Sequence, residues 1–151
     1  MKLEHLMDYH ASLKPAVDVG IGPFGARSFG EVSGGEFEGP RLKGRLLPGG
    51  GDWILVDGNG VGHIDVRAIF ETDDGARIYA QYYGTLEMNE RVMTALATGG
   101  DTEFGDAYFM VAPRFETGDE RYAWLNDKVC VGEGRIRQGG VAYRAYCVEN
   151  G

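Results

Sequence analysis

The sequence predicts a mainly all-β protein, a sandwich or a barrel, and three observations lead there. Glycine supplies 25 of the 151 residues, more than twice ordinary usage. It is scattered between apolar runs without a period, which reads as turn chemistry and excludes collagen-like or low-complexity chains. Strand-like runs separated by Gly, Asp-Gly or Gly-Gly recur about every ten residues, the spacing of many short antiparallel strands. Only EMNERVMTALATGGD, residues 87–101, carries a helical period.

The elements follow in chain order. LEHLMDYHASLKPAVDVG opens with a loosely alternating strand, and Pro15 stops any helix from running through it. IGPFGARSFGEVSGG reads as turn-rich. EFEGPRLKGRLLPGGGDWILV and GVGHIDVRAIFETDDGARIYAQYYGTL supply further strands. ETDDGARIY is a hairpin signal, because Asp-Gly tolerates the positive φ of tight turns. Met88, Val92 and Ala95–Leu96 then fall on one helical face, with Gly99–Gly100 as a stop. AYFMVAPRFETG and KVCVGEGRIRQGGVAYRAYCV close the chain as strands, with a second hairpin at RQGGVAY. No repeat or linker divides the chain, so residues 1–151 read as one domain.

Fifteen basic against twenty-three acidic residues give a formal charge of −8. That sign repels nucleic acid and anionic membranes. MKLEHLMDYHASLK has charges inside its apolar part and lacks a signal-peptide core, and no run approaches the ~18 apolar residues of a membrane helix. Cys130 and Cys147 are too few for a disulfide scaffold and not spaced as a metal pair. The expectation is a cytoplasmic protein with two reduced thiols.

Several motifs bear on chemistry. GGGDW lacks the Lys-Ser/Thr of a phosphate loop and the dinucleotide fingerprint, so its glycines are a turn. Asp52 and Trp53 follow at the mouth of a strand, where Asp52 can cap the turn and Trp53 can be core. In GHIDVRAIF, alternation puts Ile64, Val66, Ala68 and Phe70 on one face and His63, Asp65, Arg67 and Ile69 on the other. The charged face is solvated in a simple half-buried strand. In a closed barrel it can instead look into the cavity, where an acid and a guanidinium neutralise each other. An even hairpin loop brings Tyr82 onto the face of Asp65 and Arg67; an odd loop brings Tyr79 and Tyr83. In PRFETGDERYAWLND, an extended chain aligns Tyr122, Trp124 and Asn126 as an aromatic wall, and Arg114 and Glu116 share a face. Such walls with a few polar groups suit a small-molecule pocket; the plainer reading is a core tryptophan with solvated charges. His5, His10 and His63 show no ligand spacing, and neither a nucleophile elbow nor a Cys-His pair is present. An enzyme built from this chain is expected to work without cofactor or metal.

The blocks GGEFEGPRLKGRLLPGGGDW, DVRAIFETDDGARIYAQYYG and APRFETGDERYAWLNDKVCVGEG resemble the bacterial and fungal family known as a domain of unknown function (DUF3237), over nearly the whole chain from about residue 17. The resemblance implies a single antiparallel β-barrel of about eight or more strands with one short helical insertion. It also suggests kinship with allene oxide cyclase-like and dirigent-like barrels, which bind apolar molecules inside and steer cyclisations without a cofactor. The motif positions it carries over are Asp52, Trp53, Asp65, Arg67, Tyr79, Glu116, Trp124 and Asn126.

Two functions compete. One is a cofactor-independent lyase, isomerase or cyclase acting on an apolar, aromatic or polyketide-like molecule. Asp65 or Glu116 would be its base and Arg67 or Tyr79 would stabilise a developing oxyanion. Asp52, Trp53, Tyr82, Tyr122, Trp124 and Asn126 would hold the substrate. The other is a binding or carrier protein using the same pocket without chemistry. A third, structural reading has the barrel filled by its own side chains, with the charged face engaged in homo-oligomer contacts.

Overall fold

Period-two alternation runs through nearly every apolar segment, and in the computed structural model, which describes residues 1–151, it becomes ten strands in one antiparallel sheet. They are β1 (Lys2–Leu13), β2 (Val17–Gly22), β3 (Gly25–Glu38), β4 (Lys43–Leu46), β5 (Gly51–Val56), β6 (Val61–Thr72), β7 (Arg77–Glu87), β8 (Phe109–Glu116), β9 (Cys130–Arg137) and β10 (Gly140–Glu149).

The pairing closes the sheet. β1 and β2 pair different halves of β3, and β4 and β5 lie along different parts of β3 and β6. Each couple is one interrupted stave, so the ten strands make eight staves. Every stave lies beside its neighbour in sequence, and β1 pairs β10 to complete an up-and-down barrel. The two interruptions follow the sequence. Pro15 separates β1 from β2. At the triple glycine between β4 and β5, Val32 N–H donates to Gly50 O at 3.2 Å and Gly49 N–H donates to Val32 O at 2.9 Å.

The turn-rich reading of residues 21–35 is corrected. Only the Pro23–Phe24 corner turns, and the rest is the long strand β3. Its glycines serve close approach. A Cβ on Gly35, whose φ is +146°, would sit 2.0 Å from the His10 carbonyl oxygen on β1, at the seam that closes the barrel.

Inward positions are apolar and large. Rings of Tyr9, Tyr82, Tyr143, Phe37, Phe70, Phe109 and Phe115 form one connected set, with neighbouring centroids 5.0–6.3 Å apart. A helix packs beside the barrel as expected. α1 (Glu90–Thr98) is capped by Asn89, whose Oδ1 accepts from Val92 N–H, and stopped by Gly99 in the left-handed region; it buries Val92 and Ala95. A second helical piece was not expected. Glu120–Asp127 is a 3-10 helix capped by Asp119, burying Leu125, so Tyr122, Trp124 and Asn126 do not align as an extended wall. The Asp119 carboxylate, accepting from Arg121 N–H, offers the chain a helical turn where extended backbone was read. No helix of the chain is long and apolar enough to cross a membrane.

Phe70 is fully buried and touches three other rings. Phe70→Ala is expected to lower unfolding free energy by about 3–5 kcal/mol in urea titrations. Gly35→Val, at the seam where Gly35 pairs with Ala11, is expected to destabilise as well; equal stability to wild type would show that β1 and β3 can part there without cost.

Candidate functional site

The pleat decides which of the expected residues can meet. Thr72 and Ala76 close a three-residue loop, with Thr72 N–H donating to Ala76 O at 2.8 Å. The odd loop pairs Asp65 with Tyr83, Arg67 with Gln81 and Ile69 with Tyr79. Tyr79 and Tyr83 therefore join Asp65 and Arg67, while Tyr82 turns the other way and is buried.

The shared face of Asp65 and Arg67 is the outside of the barrel, which corrects the expectation that it lines the cavity. Ile64, Val66, Ala68 and Phe70 take the bore instead, and no helix or layer covers β6 from outside. Arg67 Nη1 stands 3.8 Å from Asp65 Oδ1, with both side chains a third or more exposed. Tyr79 pairs across the strands with Glu116 and donates to Gln81 Oε1 at 3.2 Å. Tyr79, Glu116, Arg114 and Asn126 border an open outer groove of about 610 Å³. Asn126 is held by Thr117, accepting from its N–H at 2.8 Å and donating to its carbonyl at 3.0 Å. Trp124 lies under the Arg41 guanidinium, 3.7 Å from ring centroid to Cζ, and the Tyr122 hydroxyl donates to the Asp74 carboxylate. Trp53 is half exposed and stacks on Phe29 with centroids 4.0 Å apart. The expected set therefore divides: Asp52 and Tyr82 are buried, Tyr122 and Trp124 pack partly against the core, and Trp53, Asp65, Arg67, Tyr79, Glu116 and Asn126 lie outside.

Asp52 and Tyr82 meet groups that the sequence reading missed. Asp52 is opposite Gly30 on β3 and Val66 on β6, and Val66 is opposite Tyr82. Its side chain is 7% exposed, the one acidic side chain buried in the chain. Burial pushes its carboxyl up to about 6, the Asp65 N–H opposes that shift, and the Asp65 charge adds to it. The Tyr82 and Tyr143 phenols are raised first by burial, and the Asp52 charge raises both further. Tyr9, Tyr82 and Tyr143 touch one another in a triangle, and the buried hydroxyls of Tyr9 and Tyr143 have no hydrogen-bond partner. A sequence signal existed for both: Tyr9 keeps step with Met7 and Ala11, and Tyr143 with Ala145 and Cys147, all inward.

The barrel wall beside Asp52 is modified. The β5–β6 ladder pairs Gly51–Arg67 and Asp52–Val66, then resumes at Leu55–His63, omitting the two rungs where Trp53 would meet Asp65 and Ile54 would meet Ile64. Two side chains substitute: Asp65 N–H donates to Asp52 Oδ1 at 3.1 Å, and Arg27 Nη1 donates to the Trp53 carbonyl at 3.2 Å. Gly30 leaves room on the inner side. A Cβ built there would meet only Leu13 Cδ1, at 3.6 Å, although the residue is buried. A desolvated carboxyl, buried phenols and a buried glycine thus share the inner face of the wall, and the first two are groups able to hydrogen-bond a small polar group and exchange a proton with it. No three His, Cys, Asp or Glu side chains converge as a metal site.

The chain belongs to the family described as "Protein of unknown function (DUF3237)", which matches residues 1–148. A UPF0311 protein of Rhodopseudomonas palustris is 33% identical over 108 residues, covering 72% of this chain and 71% of that protein. "PR-toxin biosynthesis cluster protein 7" of Penicillium roqueforti is 26% identical over 156 aligned positions, covering 89% and 83%. Among solved structures, a beta-barrel like protein from Acinetobacter baumannii superposes with a TM-score of 0.85 at 38% identity, covering 98% and 96% of the two chains. A protein from Penicillium herquei described as an enzyme has a TM-score of 0.74 at 20% identity, covering 98% and 94%, a likeness of fold.

Because Asp52 titrates above its ordinary value, the stability it contributes as a neutral acid is full below pH ~4 and lost as pH rises through ~6. At pH ~8 its charged form costs on the order of 3 kcal/mol. Asp52→Asn is therefore expected to be more stable than wild type near pH 8 and equal to it near pH 4. Urea titrations at the two pH values check this, and a pH-independent difference would place the Asp52 carboxyl in water.

Proposed function

We propose that this member of the DUF3237 family is a cofactor-independent enzyme whose acid–base centre is Asp52 with the phenols of Tyr82, Tyr143 and Tyr9. The substrate is a small, largely apolar molecule carrying a carbonyl or phenolic oxygen, and the reaction is a proton transfer leading to isomerisation, elimination or ring closure. The observation that carries the reading is the buried carboxyl of Asp52, raised to about 6 by its burial in the same wall as the phenol cluster.

A carboxyl titrating near neutrality divides between acid and base forms, which suits it to take a proton and return it. The phenols stay protonated, so they donate to an oxygen that gains charge in the transition state. Asp65 positions the base through its backbone N–H rather than by its own carboxylate, which lies outside. The apolar rings around the triangle lower the local dielectric and strengthen each of these contacts. The fungal relative from a toxin biosynthesis cluster and the fold neighbour described as an enzyme lend support to a small-molecule role.

The test is a screen of enones, phenols and keto-enol compounds, followed by mass spectrometry for conversion. Asp52→Asn is expected to cut turnover of a converted compound by about 10²- to 10⁴-fold, whereas Glu116→Gln leaves it unchanged. Gly30→Leu is expected to block binding while the circular dichroism spectrum stays that of wild type. Compounds that raise the melting temperature yet emerge chemically unchanged would establish the carrier reading instead. Tyr143→Phe separates stability from function: it removes a buried hydroxyl without a partner, so the unliganded protein is expected to be as stable or more stable, with ligand binding weakened.

A further inference from the structure

Cys130 and Cys147 are 17 residues apart in sequence, yet they are direct partners across β9 and β10. Their Sγ atoms are 3.7 Å apart, both are free, and both are buried in the barrel. Partners across an antiparallel pair have Cα atoms about 4.5–5.5 Å apart, inside the range that a disulfide spans. The sulfurs need to close by only ~1.7 Å to bond, a movement within reach of side-chain rotation. The two thiols differ in access. Cys147 lines a small pocket of about 30 Å³ with Trp124, Arg41, Lys128 and Glu149, whereas Cys130 does not line that pocket. About 10–15 Å³ of such space holds one water, so the pocket has room for a molecule of two heavy atoms such as hydrogen peroxide and none for glutathione.

We propose that Cys130 and Cys147 form a peroxide-closable dithiol, with Cys147 as the attacking sulfur and Cys130 as the resolving one. The Cys147 sulfur attacks one oxygen of hydrogen peroxide. The O–O bond breaks, and the departing hydroxide takes the thiol proton to leave as water. Cys147 is then a sulfenic acid. The Cys130 sulfur attacks the Cys147 sulfur, the S–O bond breaks, and a second water leaves as the disulfide forms. Two thiols are oxidised and one peroxide is reduced to two waters. Burial raises both thiols, Cys130 to about 12, and the Lys128 ammonium opposes that for each. The reaction is therefore slow compared with that of an exposed low-pKa cysteine. Its product is a covalent staple joining the start of β9 to the end of β10, immediately after the 3-10 helix that Lys128 terminates.

The test is intact-mass spectrometry and thiol counting on the folded protein after exposure to millimolar peroxide. The expected result is loss of both thiols together, a mass lower by about 2 Da, recovery with dithiothreitol, and a melting temperature higher by several degrees in the closed form. Cys130→Ser is expected instead to gain oxygen stepwise at Cys147, because no resolving sulfur remains. Cys147→Ser is expected to leave Cys130 reacting at least about tenfold more slowly. Wild type that keeps both thiols while the urea-unfolded chain loses them, that accumulates oxygen on Cys147, or that crosslinks only between molecules would overturn the proposal.

Discussion

Ring packing in the bore is the constraint on which the rest of the structure depends. Eight staves enclose a space only wide enough for side chains or one small ligand, and here seven aromatic rings occupy it in mutual contact. Once the rings are inside, the pleat leaves the alternate positions no choice, and Asp65, Arg67, Tyr79 and Glu116 must face outward. The same constraint makes Asp52 exceptional. It takes a place that the pattern reserves for apolar groups, and it is tolerated because the missing Trp53–Asp65 rung supplies a backbone donor for it.

That local concession links the fold to its chemistry. A carboxylate in such a place weakens the fold at neutral pH, and the unpartnered phenols beside it cost further free energy. Groups that are expensive for the empty protein are the ones able to reward a ligand that satisfies them. Outer polar residues such as Asn126 and Tyr122 differ in kind, Asn126 being satisfied by Thr117 and Tyr122 by Asp74.

Much of the fold was legible because it rests on local periodicity. The strand at GHIDVRAIF, both hairpins and the helix ending at Gly99 each declare themselves within a dozen residues. Which face of a strand looks inward was not legible, because alternation defines two faces and closure names the buried one. Alternation leaves Asp65 and Arg67 free to face either water or the bore, and closure turns them outward. The choice between Tyr79 and Tyr82 turned on whether the Asp73–Gly75 loop is odd, a matter of one hydrogen-bonded pair. Tyr9 and Tyr143 were missed although their alternation was visible, because their meeting depends on β1 closing against β10. The 3-10 helix was hidden by an apparent alternation of Tyr122 and Trp124 that a capping aspartate overrides.

The sequential order of the staves also shapes how the chain reaches this state. Each stave pairs with the next in sequence, so most of the wall can form by local hairpins zipping one after another, with modest loop-closure cost. The rung between β1 and β10 is different in kind, since it joins segments from opposite ends of the described chain. Until that rung forms, the meander has two open edges and its rings face water, a state prone to pairing with other chains. The barrel's closure is thus a kinetic event as well as a geometric one, and β1, which must engage both β3 and β10, is the segment that times it.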